Sequence, residues 1–115
     1  MIAVIFEVTL DPNRKQDYLD IAGSLRADLA QIDGFISVER FQSLTNPDKL
    51  LSLSFFRDET AVQDWRKLQK HRGAQRAGRG GIFIEYRLRV ATIIRDYGMF
   101  DRAQVPQDSA AYHER

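Results

Sequence analysis

Leu50-Leu51-Ser52-Leu53-Ser54-Phe55-Phe56-Arg57-Asp58-Glu59-Thr60-Ala61-Val62-Gln63-Asp64-Trp65 is the stretch on which the fold turns, and it continues through Leu68 and His71 to Gln75. Its first half alternates bulky with small polar side chains, the period-2 pattern of a strand with two unlike faces. Its second half brings Ala61, Val62, Trp65 and Leu68 to one side of a helix. Asp58 stands where an N-cap is needed, and Glu59 suits the positive end of the helix dipole. A helix folded back over this strand sets Trp65, the single tryptophan, near the face bearing Ser52, Ser54 and Phe56. Either a pocket or a filled core occupies that space.

Working outward, residues 2–10 are rich in β-branched and aromatic side chains and predict a buried strand. Asp11-Pro12 supplies a cap followed by proline in the first turn, where its missing N–H costs nothing. Tyr18, Ile21, Ala22, Leu25, Leu29 and Ile32 recur at helical spacing, and Gly34 suits a left-handed helix end. From Phe35 to Ser43, strict alternation puts Phe35, Ser37, Glu39 and Phe41 on one face and Ile36, Val38 and Arg40 on the other. Thr45-Asn46-Pro47-Asp48 is a turn cluster that makes a hairpin with the strand at Lys49–Phe56. Past Trp65 the helix weakens near Gly73 and ends before Gly78-Arg79-Gly80-Gly81. A last strand runs from Ile82 as far as Arg95, well beyond the usual five or six residues. Residues 99–115 turn polar and form a tail, extended or laid over a partner.

The order strand, helix, strand, strand, helix, strand predicts an α+β, ferredoxin-like domain over residues 1–98. Four antiparallel strands form its sheet, with both helices on one face. Apolar side chains occur on both faces of the first and last strands. The helix-free face is then an apolar patch too large to leave in water. A homodimer packing sheet against sheet covers it and is the expected assembly.

The totals narrow the function. With 115 residues the chain is one domain. Seventeen Lys and Arg against 16 Asp and Glu leave a net charge of +1, so no strong field attracts nucleic acid or an anionic membrane. The absence of Cys removes disulfides, thiolate chemistry and sulfur-ligated zinc. No apolar run approaches the roughly 20 residues of a membrane span. Met1 to Phe6 is apolar, but Glu7 interrupts it and no basic leader accompanies it, so a cytoplasmic location is expected. Neither a carboxylate dyad nor a helical His pair for metal occurs.

Gly34-Phe35, Ser54-Phe55-Phe56-Arg57-Asp58-Glu59-Thr60-Ala61-Val62 leading to Trp65, His71-Arg72-Gly73-Ala74-Gln75-Arg76 and the ending Arg95-Asp96-Tyr97-Gly98 together resemble the antibiotic biosynthesis monooxygenase family. The likeness covers residues 1–98 and implies small dimeric α+β barrels. That family includes cofactor-independent quinone-forming monooxygenases and heme degraders. Quinone-forming relatives carry Asn and Trp on the third strand at positions that correspond to Ser52 and Phe56, and neither is matched. Heme-degrading relatives place an Asn on the first strand, near Phe6 here, a Trp in the second helix, matched by Trp65, and a His ten residues on, which is Gln75. Heme is thereby disfavoured, and no cofactor is expected.

Each candidate has a bland alternative. Trp65 is a core aromatic or a pocket wall. His71 suits proton transfer near neutral pH. In one unbroken helix, however, it lies about 120° around the axis from Trp65, and the two share a pocket only if the helix breaks between them. Ser52 and Ser54 form a polar patch or simply make room for the indole. Tyr86 and Arg87 point to opposite faces of the last strand, so only one reaches a given cavity. Arg87 would suit an anionic or enolate substrate, with pairing to Glu85 or Glu39 as the alternative. The basic run Arg66, Lys67, Lys70, Arg72, Arg76, Arg79 is a solvated helix face, and His113 in the tail carries no role.

The expectation is a monooxygenase acting on a small aromatic or quinol-like compound. Its site comprises His71 as proton acceptor and Ser52 as hydrogen-bond partner, with Trp65, Phe56, Phe6, Tyr86 and Arg87 around the substrate. A non-catalytic binder of heme or another apolar ligand, and a purely structural dimerisation module, are the competing expectations.

Overall fold

In the computed structural model, which describes residues 1–71 and 81–108, the chain forms β1 (Ile2–Leu10), α1 (Lys15–Ala30), β2 (Phe35–Gln42), β3 (Lys49–Phe56), α2 (Glu59–His71) and β4 (Phe83–Thr92). The four strands make one antiparallel sheet in the order β2-β3-β1-β4. This is the ferredoxin-like α+β arrangement that the sequence predicts, with both helices on the same side of the sheet.

Local chemistry sets the boundaries. The Asp11 carboxylate accepts from the backbone N–H of Asn13 at 3.0 Å, starting a 3-10 turn at Pro12–Arg14 that leads into α1. At α2, Asp58 accepts from the backbone N–H of Ala61 at 3.0 Å, the N-cap bond. Gly34 takes φ +92° between α1 and β2, a conformation that glycine adopts without the steric cost of a Cβ. The β2–β3 turn is tied by Gln42, whose side-chain amide donates to the carbonyls of Asn46, Pro47 and Lys49.

The core has two lobes on the helix-covered face. Ile2, Leu29, Phe56, Ala61 and Val62 form one, and Trp65, Phe35 and Val38 pack against it. Val8, Leu10, Tyr18, Leu50 and Ile82 form the other, with Phe6, Ile21 and Phe83 around it. The even-numbered residues of β1 therefore face the helices.

Two expectations are corrected. Strict alternation along β2 is broken by a register shift between Phe35 and Ser37. The extra residue, Ile36, lets Phe35 turn to the same side as Val38, opposite Phe56, and stands 53% exposed itself. A bulge re-aims side chains in this way, and no period-2 pattern anticipates it. The last strand covers Phe83–Thr92, shorter at both ends than expected, with its own register shift beside Thr9 and Leu10. The predicted weakening of the second helix near Gly73 and the turn at Gly78–Gly80 lie outside the described residues. The predicted tail is described only up to residue 108, and in it Met99 and Phe100 are exposed.

Candidate functional site

A cavity of about 550 Å³ lies between the helix-covered face of the sheet and the two helices. Strand register lays its floor in cross-strand rows. Arg40 on β2 stands opposite Ser52 on β3, Ser52 opposite Phe6 on β1, and Phe6 opposite Leu88 on β4. The neighbouring row reads Val38, Ser54, Val4, Val90. Side chains directly opposed on one face are about 5 Å apart at Cβ. The two serines at the centre are too small to fill the space above them, which is why the helices span a void there rather than a packed layer. Leu25 and Leu29 of α1, with Val62 and Trp65 of α2, close the top.

The two ends of the cavity differ. At the β1–β4 end Phe6, Tyr18, Phe83 and Tyr86 form an aromatic wall: the Phe6 ring centroid lies 5.7 Å from those of both Phe83 and Tyr86, and Tyr18 lies 5.8 Å from Phe83. Ile84, Tyr86, Leu88 and Val90 line this side while each remaining at least 45% exposed, so the cavity opens along the edge strand β4. At the β2 end stands Arg40, whose Nε is shielded from solvent and has no hydrogen-bond partner. Arg26 and Arg66 also line the cavity, from the exposed sides of the two helices, and Glu85, in register with Thr9 of the helix-free phase, is the one acidic residue bordering it among the described residues.

Of the candidates named from sequence, the fold brings Phe6, Ser52, Trp65 and Tyr86 to the cavity. Phe56 is completely buried in the core lobe against which Trp65 packs, so it supports the wall without lining it. Arg87 follows Tyr86 in β4, pairs in register with Glu7 and falls on the helix-free face, outside the cavity. The helix is continuous from Glu59 to His71, so the break that would let His71 share a pocket with Trp65 does not occur before His71. The His71 side chain and Gln75 lie outside the described residues.

Arg40 is the residue that sequence reasoning missed. Its signal was present, because Arg40 alternates in phase with Val38. What sequence lacked was the assignment of that phase to the helix-covered side, which the bulge at Ile36 decides.

Comparison with known proteins places these features in context. Residues 1–77 match the family model described as antibiotic biosynthesis monooxygenase. A curated relative, "Jasmonate monooxygenase ABM" of Pyricularia oryzae, is 48% identical over 93 residues, which are 81% of this chain. The match spans only 43% of that relative's length. Among solved structures, a Deinococcus radiodurans protein provisionally named for the same family superposes with a TM-score of 0.75 at 11% identity, covering 85% of this chain and 97% of the other. A conserved protein from Methanosarcina mazei gives 0.70 at 19% identity, covering 78% and 89%. At such low identities these two structures establish the fold alone.

Proposed function

The chain belongs to the antibiotic biosynthesis monooxygenase family, and on that premise we propose that it oxygenates a small, largely apolar molecule held between its sheet and its helices. The observation that carries this reading is the cavity of about 550 Å³ with aromatic side chains at one end and two serines in its floor. A space of that size and lining suits a ligand of one or a few rings.

The chemistry proposed needs no cofactor. An activated methylene between two stabilising groups loses a proton, and the resulting carbanion or enolate supplies electrons to dioxygen. The balanced outcome is one CH2 and one O2 giving one C=O and one water. The protein's part is to exclude bulk water, hold the substrate in one orientation and stabilise the deprotonated form. Trp65, Phe6 and Tyr86 are the walls in this proposal and Ser52 the hydrogen-bond partner of the substrate oxygen; His71, at the end of an unbroken helix, is not assigned the proton.

A second copy of the chain is part of the same proposal. The helix-free face carries Ile5, Leu51, Leu53, Phe55 and Phe41, placed there by the register that sends their neighbours to the helices. Burying that face against its twin removes apolar surface from water.

Oxygen uptake by purified protein without added metal, flavin or nicotinamide is the test, with anthrone, simple quinols and jasmonate as the panel. The expected result is protein-dependent consumption of one O2 per product with at least one compound. Inertness across the panel, in protein that is folded and dimeric by sedimentation, overturns the reading.

A further inference from the structure

The cavity contains one feature that an apolar substrate does not use. Arg40 projects from β2 into its floor, next to Ser52, with its Nε–H buried and unpartnered. No described carboxylate forms an ion pair with it, whereas Arg57 and Arg89 on other surfaces each hold a carboxylate within 3.3 Å. A buried N–H without a partner is costly, and it is rarely left so without a ligand or water to satisfy it. Arg26 and Arg66 add positive charge above the same space, while Glu85, the one acidic residue bordering it among the described residues, is on β4 at the other edge of the sheet and pairs with Thr9 in the phase of the helix-free face. Three strand spacings separate β2 from β4, roughly 14 Å. The cavity is therefore polarised, cationic at its β2 end and aromatic at the β1–β4 end.

We propose that Arg40, assisted by the Ser52 hydroxyl, is the anchor for a carboxylate, and that the substrate class is an apolar acid of intermediate length whose ring or chain lies toward Phe6, Phe83 and Tyr86. This rests on the cavity being the substrate site, as proposed above. Side-on pairing through Nε–H and one Nη–H is the planar two-bond recognition for which guanidinium is suited and ammonium is not. The carboxylate occupies the end away from the mouth, so the opposite end of the molecule faces the opening along β4. Arg40 is a binding and orienting residue in this proposal, and Arg26 and Arg66, being exposed, contribute mainly a salt-sensitive attraction.

The experiment compares 4-phenylbutyrate with its methyl ester, near neutral pH, by the emission of Trp65, the only tryptophan of the chain, and by calorimetry. The expected result is that the acid binds about tenfold or more tighter than the ester. Arg40→Gln brings that ratio toward one, and Arg40→Lys falls between, because it keeps the charge and loses the paired donors. An ester bound as tightly as the acid by the wild type, or a ratio that survives in folded Arg40→Gln, overturns the anchor while leaving the cavity as a substrate site. If neither compound perturbs Trp65 or releases heat, the cavity reading falls and the anchor with it. Should Arg40→Gln fail to fold, the acid-to-ester ratio of the wild type decides alone.

Discussion

Arg40 and Ser52 oppose each other across the β2–β3 ladder on the side of the sheet that the helices cover. A cation and a hydroxyl thus stand side by side in the floor of a largely apolar cavity. The pair is 12 residues apart in sequence and meets only through strand register. Its position makes Ser52 the place where the cavity can be closed with least damage to the fold.

Ser52→Leu is expected to fill the centre of the floor. Oxygen uptake should fall by at least about tenfold, because substrate can no longer reach a productive position. The melting temperature should stay at or above the wild-type value, since leucine adds buried apolar surface and removes no described hydrogen bond. Ser52→Ala leaves the space open but removes the hydroxyl proposed to bind the substrate oxygen, so turnover should fall less than in Ser52→Leu while the melting temperature holds. Parallel thermal melts and oxygen-electrode assays check both.

Phe56 gives the opposite outcome. It is fully buried, stands opposite Ile2 and Phe35 in the sheet, and its ring lies 5.9 Å from that of Phe35. Phe56→Ala is expected to cost about 3–5 kcal/mol of stability, a large part of the roughly 5–15 kcal/mol that holds a domain of this kind together. Urea denaturation measures it. Activity per folded molecule should change far less than the folded fraction does.

Gly34 tests the link between α1 and α2. A Cβ added there would sit 3.0 Å from Cβ of Ala61 and 3.4 Å from Cβ of Arg57, on a backbone with φ +92°. The Gly34 carbonyl also accepts from the Arg57 N–H at 2.7 Å, so the segment has little freedom to move away. Gly34→Ala should destabilise by about 1–3 kcal/mol from backbone strain together with crowding, read as a lower urea midpoint with an unchanged slope.

Acid should loosen the start of α2. The Ala61 backbone N–H, and then Arg57, hold the Asp58 carboxyl below its ordinary value, and hydrogen bonding and charge from Arg57 do the same to Asp33. Both groups bind fewer protons folded than unfolded. Their contribution is fully present above the unfolded aspartate value near ~4 and is lost as pH falls through the lower folded values. The difference in melting temperature between wild type and Asp58→Ala should therefore be greatest at neutral pH and shrink in acid. A difference that stays constant down to strongly acidic pH contradicts the cap.

Much of the fold was legible because its signals are local. Asp58 as N-cap, Gly34 in a left-handed conformation and the apolar stripe Ala61, Val62 and Trp65 are each decided by residues within a few positions of one another. The face of β3 bearing Ser52 and Ser54 was legible too, since Phe56 and Leu50 share its phase and must be buried. Less could be read where a single extra residue intervenes. Ile36 interrupts the alternation of β2, which moved Phe35 to the side of Val38 and Arg40. Arg87 looked as eligible as Tyr86 until the pairing of β4 with β1 put Tyr86 opposite Val8, on the helix-covered face, and Arg87 opposite Glu7, on the other.

From the order of its amino acids alone this chain specifies six elements, their sequence and the stripes they bury, because periodicity and capping act over a turn or a few strand positions. Tertiary structure decided that Arg40, Ser52, Phe6 and Tyr86 share one cavity while Phe56 and Arg87 stay out of it. Strand pairing sets that choice across dozens of residues, and a shift of one residue turns a side chain from one face of the sheet to the other.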